Sequence, residues 1–218
     1  MLKAVIFDMD GLLLDSEMIS YKCYKKVLED YGYPFTLDDY IKDYPGKPLA
    51  VSIHFINERY DLNYNEEEII HYFHQLEEKY SKEDKVPLKK GALELLTYLK
   101  ENQYKIIIAT SSLGDRAQRY LNAHDLFKYF DDAVYGIEVK NGKPAPDIFL
   151  KACEKLQVLP QEALVLEDSE AGIQAAYDAH IPVICIPDLK QPKSEFVKKT
   201  EALLPSLNEV ITYIKEHN

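Results

Sequence analysis

Two aspartates near the amino terminus stand one residue apart, directly after an apolar run. The run Val5-Ile6-Phe7 leads into Asp8-Met9-Asp10-Gly11, and α/β sheets bind their ligands at the carboxyl ends of such buried strands. Residues two apart on a strand share a face, so the two carboxylates would repel each other unless a cation lay between them or one carried a proton. A hard divalent ion is the simplest remedy. The same residues are also typical of an acidic turn, because Asp and Gly are common turn formers.

Three more segments carry side chains that suit a divalent cation and a phosphoryl group. Apolar runs end in Thr110-Ser111-Ser112 and in Glu167-Asp168-Ser169, and Lys143 stands in a loop restricted by Gly142 and Pro144. Carboxylates can hold Mg²⁺, and hydroxyls with helix N-terminal amides can hold phosphate oxygens. Taken alone, each segment has an ordinary interpretation as a helix cap, a helix-start acidic pair or a solvated loop lysine.

The elements that must position these residues alternate between strands and helices. Apolar runs at 4–7, 106–109, 163–166 and 182–186 are typical of strands buried on both faces, and the stretches between them are amphipathic. This alternation predicts an α/β fold with a Rossmann-like parallel sheet. Parallel strands would bring the ends of the first three runs to the same edge of that sheet.

About 95 residues separate the first two runs, although one crossover needs only a dozen or more. Residues 16–82 show helical periodicity, with helices predicted at 49–60 and 66–80, and Thr36 with Asp39 has the spacing of a capping pair. We therefore expect residues 1–14 and 84–218 to form an α/β core and residues 15–83 to form an inserted helical cap. Extra helices packed rigidly on the core are the alternative.

Composition limits the classes of partner. The 218 residues include 26 basic and 37 acidic side chains, for a net charge of −11, which disfavours nucleic acid and anionic membranes and favours a small metabolite. The three cysteines, Cys23, Cys153 and Cys185, are far apart and have the pattern of buried thiols in a reducing compartment. With no signal-peptide pattern and no long apolar stretch, the cytoplasm is the expected location.

The motifs, in this order, resemble those of the haloacid dehalogenase superfamily of phosphatases over essentially the whole chain. Asp8-Met9-Asp10-Gly11 is similar to the first motif of that family, Thr110 to the second, Lys143 to the third and Glu167-Asp168 to the fourth. The sequence segments 142–149 and 167–172 are most similar to those of the branch that contains β-phosphoglucomutase and sugar-phosphate phosphatases. The resemblance implies Mg²⁺ as cofactor, a small phosphorylated metabolite as substrate, a helical cap after the first motif, and a monomer.

The resemblance also implies roles for the matching residues. Asp8 would attack phosphorus and become an aspartyl phosphate, while Asp10 would serve as general acid and base. Thr110 and Lys143 complete the catalytic set by neutralising the transferred group.

The implied binding residues form two overlapping sets. The predicted phosphate-binding residues are Asp8, Thr110, Ser111 and Lys143. The predicted Mg²⁺ ligands are Asp8, Asp10 through its backbone carbonyl, Asp168, and Glu167 as a further ligand or an outer orienting group.

A phosphosugar mutase is the alternative activity within this branch. In β-phosphoglucomutases a histidine stands roughly where this chain has Ser20, an arginine near Leu49, and a Lys-Asn pair where Leu113-Gly114 stand here. These departures favour water as the phosphoryl acceptor, although Lys47 could replace the arginine in part. The candidate substrate contacts are Lys47, Ser112 and Ser20.

Three other functions fit the sequence less well. Dehalogenases of this superfamily lack an acid at the position of Asp10. A non-hydrolytic phospho-acceptor module also joins an acidic cluster, a hydroxyl and a lysine, but it lacks a helical insertion and carries its aspartate on an internal strand. A binding protein that has lost catalysis would not need the full set of catalytic residues.

Overall fold

The computed structural model describes residues 1–62 and 64–217. Its sheet has six strands in the order β3-β2-β1-β4-β5-β6, and every neighbouring pair is parallel. The strands are β1 (Ala4–Phe7), β2 (Lys105–Thr110), β3 (Asp132–Tyr135), β4 (Ala163–Glu167), β5 (Val183–Cys185) and β6 (Ala202–Leu203). The predicted α/β fold with a Rossmann-like parallel sheet is confirmed.

The chain divides into two compact units, residues 1–15 with 87–218 and residues 16–86. The first unit holds the sheet and six helices of the described chain. These are α5 (Ala92–Glu101), α6 (Gly114–Asn122), α7 (Asp147–Leu156), α8 (Glu170–Asp178), α9 (Ser194–Val197) and α10 (Asn208–His217). Helices α7 and α8 pack against one face of the sheet, whose residues alternate along each strand with those of the opposite face. Ile6, Ile107 and Val165 belong to this face and are fully buried. This alternation is what covering both faces of a parallel sheet requires.

The second unit, residues 16–86, is helical throughout its regular structure. Its helices are α1 (Glu17–Asp30), α2 (Leu37–Asp43), α3 (Leu49–Tyr60) and α4 (Glu66–Glu83). Thr36 begins α2 with the predicted capping box, in which Asp39 N–H donates to Thr36 Oγ1 and Thr36 N–H donates to Asp39 Oδ2. The interior is aromatic, with Tyr24 in contact with Tyr44 and Phe73. Whether this unit acts as a cap stays a prediction.

Helix α4 corrects one sequence interpretation. The sequence predicts a helix at 66–80, but α4 continues to Glu83. Lys82 donates to Glu78 one turn earlier, which supports the extra turn.

Within the described residues, no helix is both long enough and apolar enough to cross a membrane. Cys23, Cys153 and Cys185 are buried free thiols.

Candidate active site

A buried lysine joins two carboxylates at the carboxyl edge of the sheet. Lys143 Nζ donates to Asp8, to Glu167 Oε1 at 2.6 Å and to the backbone carbonyl of Ala109 at 3.2 Å. The side chains of Asp8, Lys143 and Glu167 are 10%, 7% and 1% exposed. Three segments that are distant in the sequence therefore meet in one charged cluster, as the convergence of strand ends predicts.

The loop before α7 holds Lys143 in place. Asp147, the first residue of α7, accepts hydrogen bonds from the backbone and the side chain of Asn141, and Ala145 N–H donates to Gly142 O. The ammonium also lies 4.9 Å from the centre of the Phe149 ring. These contacts order a side chain that would otherwise be mobile.

Burial and the neighbouring charges shift the pKa values of Asp8 and Lys143. It raises the pKa of Asp8 to about 7, against the opposing effect of the Lys143 ammonium and with a further rise from Glu167. Burial also opposes the charged form of Lys143, but the carboxylates of Asp8 and Glu167 outweigh it and raise the pKa of that ammonium. Lys143 is therefore a fixed positive charge at neutral pH.

Both carboxylate oxygens of Glu167 accept hydrogen bonds, one from Lys143 and the other from groups at the start of α8. Its Oε2 accepts from Asp168 N–H, Ser169 N–H and Ser169 Oγ at 2.9–3.0 Å. A Cβ added at Gly172 would lie 1.8 Å from Glu167 Oε1, so only glycine leaves room for this carboxylate. The arrangement orients Lys143.

The Asp10 side chain is held by the segment that follows β2. Ser112 Oγ donates to Asp10 Oδ2 at 2.7 Å, and Arg116 Nη1 lies 2.7 Å from both carboxylate oxygens. Arg116 also donates to Ser112 and lies over the Tyr120 ring. The Asp10 carboxylate thus lies beside the first turn of α6.

Thr110 and Ser111 end β2 next to this cluster. Thr110 is 1% exposed, and its Oγ1 accepts from Ser112 N–H at 3.1 Å. Ser111 is exposed, and its backbone carbonyl lies so close to Gly136 that a Cβ there would be 2.6 Å away. Both hydroxyl residues are at the edge where the sequence predicts phosphate binding.

Asp168 lies against the turn that follows β1. Gly11 has a φ of +81°, and a Cβ on it would lie 2.3 Å from Asp168 Oδ2 and 3.3 Å from Asp188 Oδ2. The missing side chain lets both carboxylates approach the turn that carries Asp8 and Asp10.

Two predicted substrate contacts belong to the helical unit, residues 16–86. Ser20 is half-buried in α1, and Lys47 is exposed with its ammonium 5.1 Å from the centre of the Phe55 ring. Their role in substrate binding stays a prediction.

Sequence reasoning missed two residues of this site, Arg116 and Asp188. Asp188 follows β5 by three positions, so the rule that drew attention to Asp8 and Asp168 also applied to it. Arg116 carried no comparable signal, because its contact with Asp10 depends on how α6 begins.

The arrangement can hold a phosphoryl group and perform acid-base chemistry. A carboxylate beside a fixed ammonium can attack an electrophile whose charge that ammonium neutralises, and a second carboxylate nearby can move a proton. The family model for haloacid dehalogenase-like hydrolases matches residues 5–186, which include Asp8, Asp10 and Lys143 but end before Asp188.

Curated relatives agree with that match. The phosphorylated carbohydrates phosphatase of Thermotoga maritima is 37% identical over 83% of this chain and 82% of its own length. The mitochondrial (DL)-glycerol-3-phosphatase 1 of Arabidopsis thaliana is 34% identical over 93% of this chain and 70% of its own length. The predicted enzyme class, a phosphoric monoester hydrolase, is confirmed by these relatives.

A solved structure extends the likeness to the whole fold. The β-phosphoglucomutase of Clostridium difficile superposes with a TM-score of 0.79 and 28% identity, over 99% of this chain and 96% of that one. With a family model that spans most of its length and relatives above 30% identity, the chain belongs to the haloacid dehalogenase-like hydrolases, the family its motifs predicted.

Proposed function

We propose that this chain is a Mg²⁺-dependent phosphatase that hydrolyses a small phosphorylated metabolite, such as a sugar phosphate, through an aspartyl phosphate on Asp8. The observation that carries the proposal is the buried contact of Lys143 with Asp8 and Glu167. A carboxylate with a fixed ammonium beside it can approach an anionic phosphate, because the ammonium offsets the repulsion between them.

In the first step an Asp8 carboxylate oxygen forms a bond to phosphorus while the bond from phosphorus to the ester oxygen breaks. The departing alkoxide takes a proton from Asp10, and the alcohol leaves. Lys143 and Thr110 neutralise the charge on the non-bridging phosphate oxygens. Ser112 and Arg116 hold the Asp10 carboxylate in one orientation.

In the second step water attacks the phosphorus of the aspartyl phosphate. Asp10 accepts the proton of that water, the bond from phosphorus to the Asp8 oxygen breaks, and inorganic phosphate leaves. Asp8 is regenerated as a carboxylate and Asp10 as an acid. Two displacements replace one hydrolysis that is very slow in water, for which enzymes reach accelerations of up to ~10²¹.

The residues present fit a magnesium ion. The donor set is the carboxylates of Asp8 and Asp168 with the backbone carbonyl of Asp10, and Gly11 leaves space for Asp168 to reach that turn. No cluster of three or more His, Cys, Asp or Glu ligands is found in residues 1–62 and 64–217. A small donor set suits Mg²⁺, which is commonly held by one or two carboxylates, waters and substrate phosphate. When bound, the ion would neutralise phosphate oxygens during both displacements.

Glu167 is better assigned to Lys143 than to the cation. Both of its oxygens are engaged, Oε1 by Lys143 and Oε2 by the amides that open α8. We propose that it is the outer orienting group of the two alternatives the sequence leaves open.

The residues that follow β2 favour hydrolysis over mutase activity. Leu113 and Gly114 have no polar side-chain group for a second phosphate, whereas a mutase must bind a sugar bisphosphate in two orientations. We further propose a cytoplasmic monomer, for which the buried free thiols are consistent with a reducing compartment.

The function is tested with a panel of phosphorylated metabolites in the presence of Mg²⁺. We expect phosphate release from at least one sugar phosphate or similar compound, and we expect excess EDTA to abolish it and added Mg²⁺ to restore it. The same samples are assayed for conversion of glucose 1-phosphate to glucose 6-phosphate. Isomerisation without net phosphate release would establish the mutase instead, and turnover unaffected by EDTA would contradict the cofactor.

Asp10→Ala is expected to reduce turnover about 10²- to 10⁴-fold while Mg²⁺ affinity stays within about twofold of wild type. The side chain contacts Ser112 and Arg116, so its loss removes proton transfer and leaves the proposed cation ligands in place. Steady-state kinetics and isothermal titration calorimetry measure the two quantities separately. A parallel loss of Mg²⁺ affinity would mean that the Asp10 carboxylate is itself a ligand.

A further inference from the structure

Asp188 has a carboxylate oxygen whose environment is unexplained by the fold. The residue follows β5, and its side chain is 8% exposed. Oδ1 accepts from Lys89 Nζ, but Oδ2 is buried and accepts no hydrogen bond from the described residues. A buried carboxylate oxygen without a donor is costly, and in native proteins such a group commonly marks a bound water or ion.

The orphan oxygen faces the proposed cation site. Asp188 Oδ2 and Asp168 Oδ2 lie 3.3 and 2.3 Å from the same point, the position a Cβ on Gly11 would occupy. Both oxygens therefore border one small volume beside the turn that carries Asp8 and Asp10. Two carboxylates so close together repel each other unless positive charge or hydrogen-bond donors lie between them.

Lys89 compensates only one side of the Asp188 carboxylate. Its ammonium pairs with Oδ1, and its own side chain is 22% exposed. The ion pair fixes the rotation of the carboxylate and so keeps Oδ2 directed at the neighbourhood of Gly11. A carboxylate held in this way can act as an outer group that orients a neighbouring metal site.

We propose that Asp188 is a positioning residue of the magnesium site, with Oδ2 accepting a hydrogen bond from water of the cation's hydration shell. Mg²⁺ gives up its water reluctantly and keeps several molecules when bound to proteins. A fixed carboxylate acceptor would hold one of them and strengthen binding. The inference rests on the proposed function, since it needs Mg²⁺ at Asp8 and Asp168.

The test is the affinity for Mg²⁺ alone, measured by calorimetry without substrate. Asp188→Asn keeps the shape but removes the charge, and we expect Kd to rise about 10- to 100-fold, as for other outer-shell substitutions. Asp125→Asn makes the same change of charge in the exposed segment that precedes β3, at the opposite edge of the sheet, and should leave Kd unchanged. Wild-type affinity in Asp188→Asn would overturn the proposal.

The Lys89→Met variant distinguishes a role of Asp188 at the cation from a role in its ion pair with Lys89 alone. It frees the rotation of the Asp188 carboxylate but keeps its charge, so Mg²⁺ binding should weaken by less than in Asp188→Asn. If Lys89→Met weakened binding as much as Asp188→Asn, the ion pair alone would explain the effect and the proposal would fail.

A double variant covers the case in which Asp188→Asn does not fold. Lys89→Met and Lys89→Met/Asp188→Asn differ only in the carboxylate, and neither leaves an ammonium without its counter-charge. The double variant should bind Mg²⁺ about 10- to 100-fold more weakly than Lys89→Met, and equal affinities would refute the inference. Failure of the wild type itself to bind Mg²⁺ would instead overturn the cofactor in the proposed function, and this inference with it.

Discussion

Asp8→Asn is expected to lower phosphate release by at least about 10⁴-fold, to the background of the assay. The amide has the size of the carboxylate but cannot form the aspartyl phosphate. Because uncatalysed hydrolysis of phosphate monoesters is so slow, no alternative route supplies measurable turnover. Hydrolysis of p-nitrophenyl phosphate in Mg²⁺ provides the measurement, since its good leaving group makes the assay least dependent on Asp10.

The variant should remain folded, which separates lost chemistry from lost structure. Burial raises the pKa of Asp8 to about 7, so the folded protein gains little from this negative charge, and Lys143 keeps Glu167 as a partner. Asp178→Asn is the matched control, because it makes the same change at an exposed position near the end of α8. Activity near wild type in Asp8→Asn would eliminate Asp8 as nucleophile.

The sequence predicted the interior of the sheet and missed its edges. Strands β1, β2, β4 and β5 are continuous apolar runs because each has a neighbour on both sides and a covering layer on both faces. Strands β3 and β6 stand at the two edges of the sheet, begin with Asp132 and Ala202, and keep exposed residues. An edge strand is short and partly polar, so its sequence does not differ from that of a loop.

The site was predictable where it follows from strand ends and hidden where it depends on side-chain direction. Asp8, Thr110 and Glu167 follow from the rule that parallel strands present their carboxyl ends at one edge. Lys143 is predicted as the positive side chain of the site because Gly142 and Pro144 restrict its loop, and the structure places it in contact with Asp8 across 135 residues of sequence. The contact of Arg116 with Asp10 could not be predicted, because a rotation of one residue in α6 would direct the guanidinium elsewhere.

Lys143→Met is expected to destabilise the protein and to abolish turnover together. Without the ammonium, Asp8 and Glu167 become two neighbouring buried carboxylates, and removing one partner of a buried ion pair costs about 3–5 kcal/mol. The Met side chain can still pack against Phe149, which Lys143 already covers. The expected loss of stability therefore measures the missing ammonium charge more than a change in packed volume. Urea unfolding in EDTA measures the free energy, because bound Mg²⁺ would compensate Asp8. Lys151→Met, at a surface lysine of α7 that pairs with Glu154 at 2.8 Å, should change stability by less than about 1 kcal/mol.

Adding Glu167→Gln to Lys143→Met distinguishes a structural lysine from a catalytic one. The amide oxygen can still accept from the N–H groups of Asp168 and Ser169 that open α8, while one of the two uncompensated charges is removed. The double variant should therefore recover a large part of the lost unfolding free energy, which a double-mutant cycle measures directly. It should stay inactive, because nothing then neutralises the phosphate oxygens as Asp8 attacks. Recovery of activity along with stability would show that Lys143 serves only to hold the two carboxylates together.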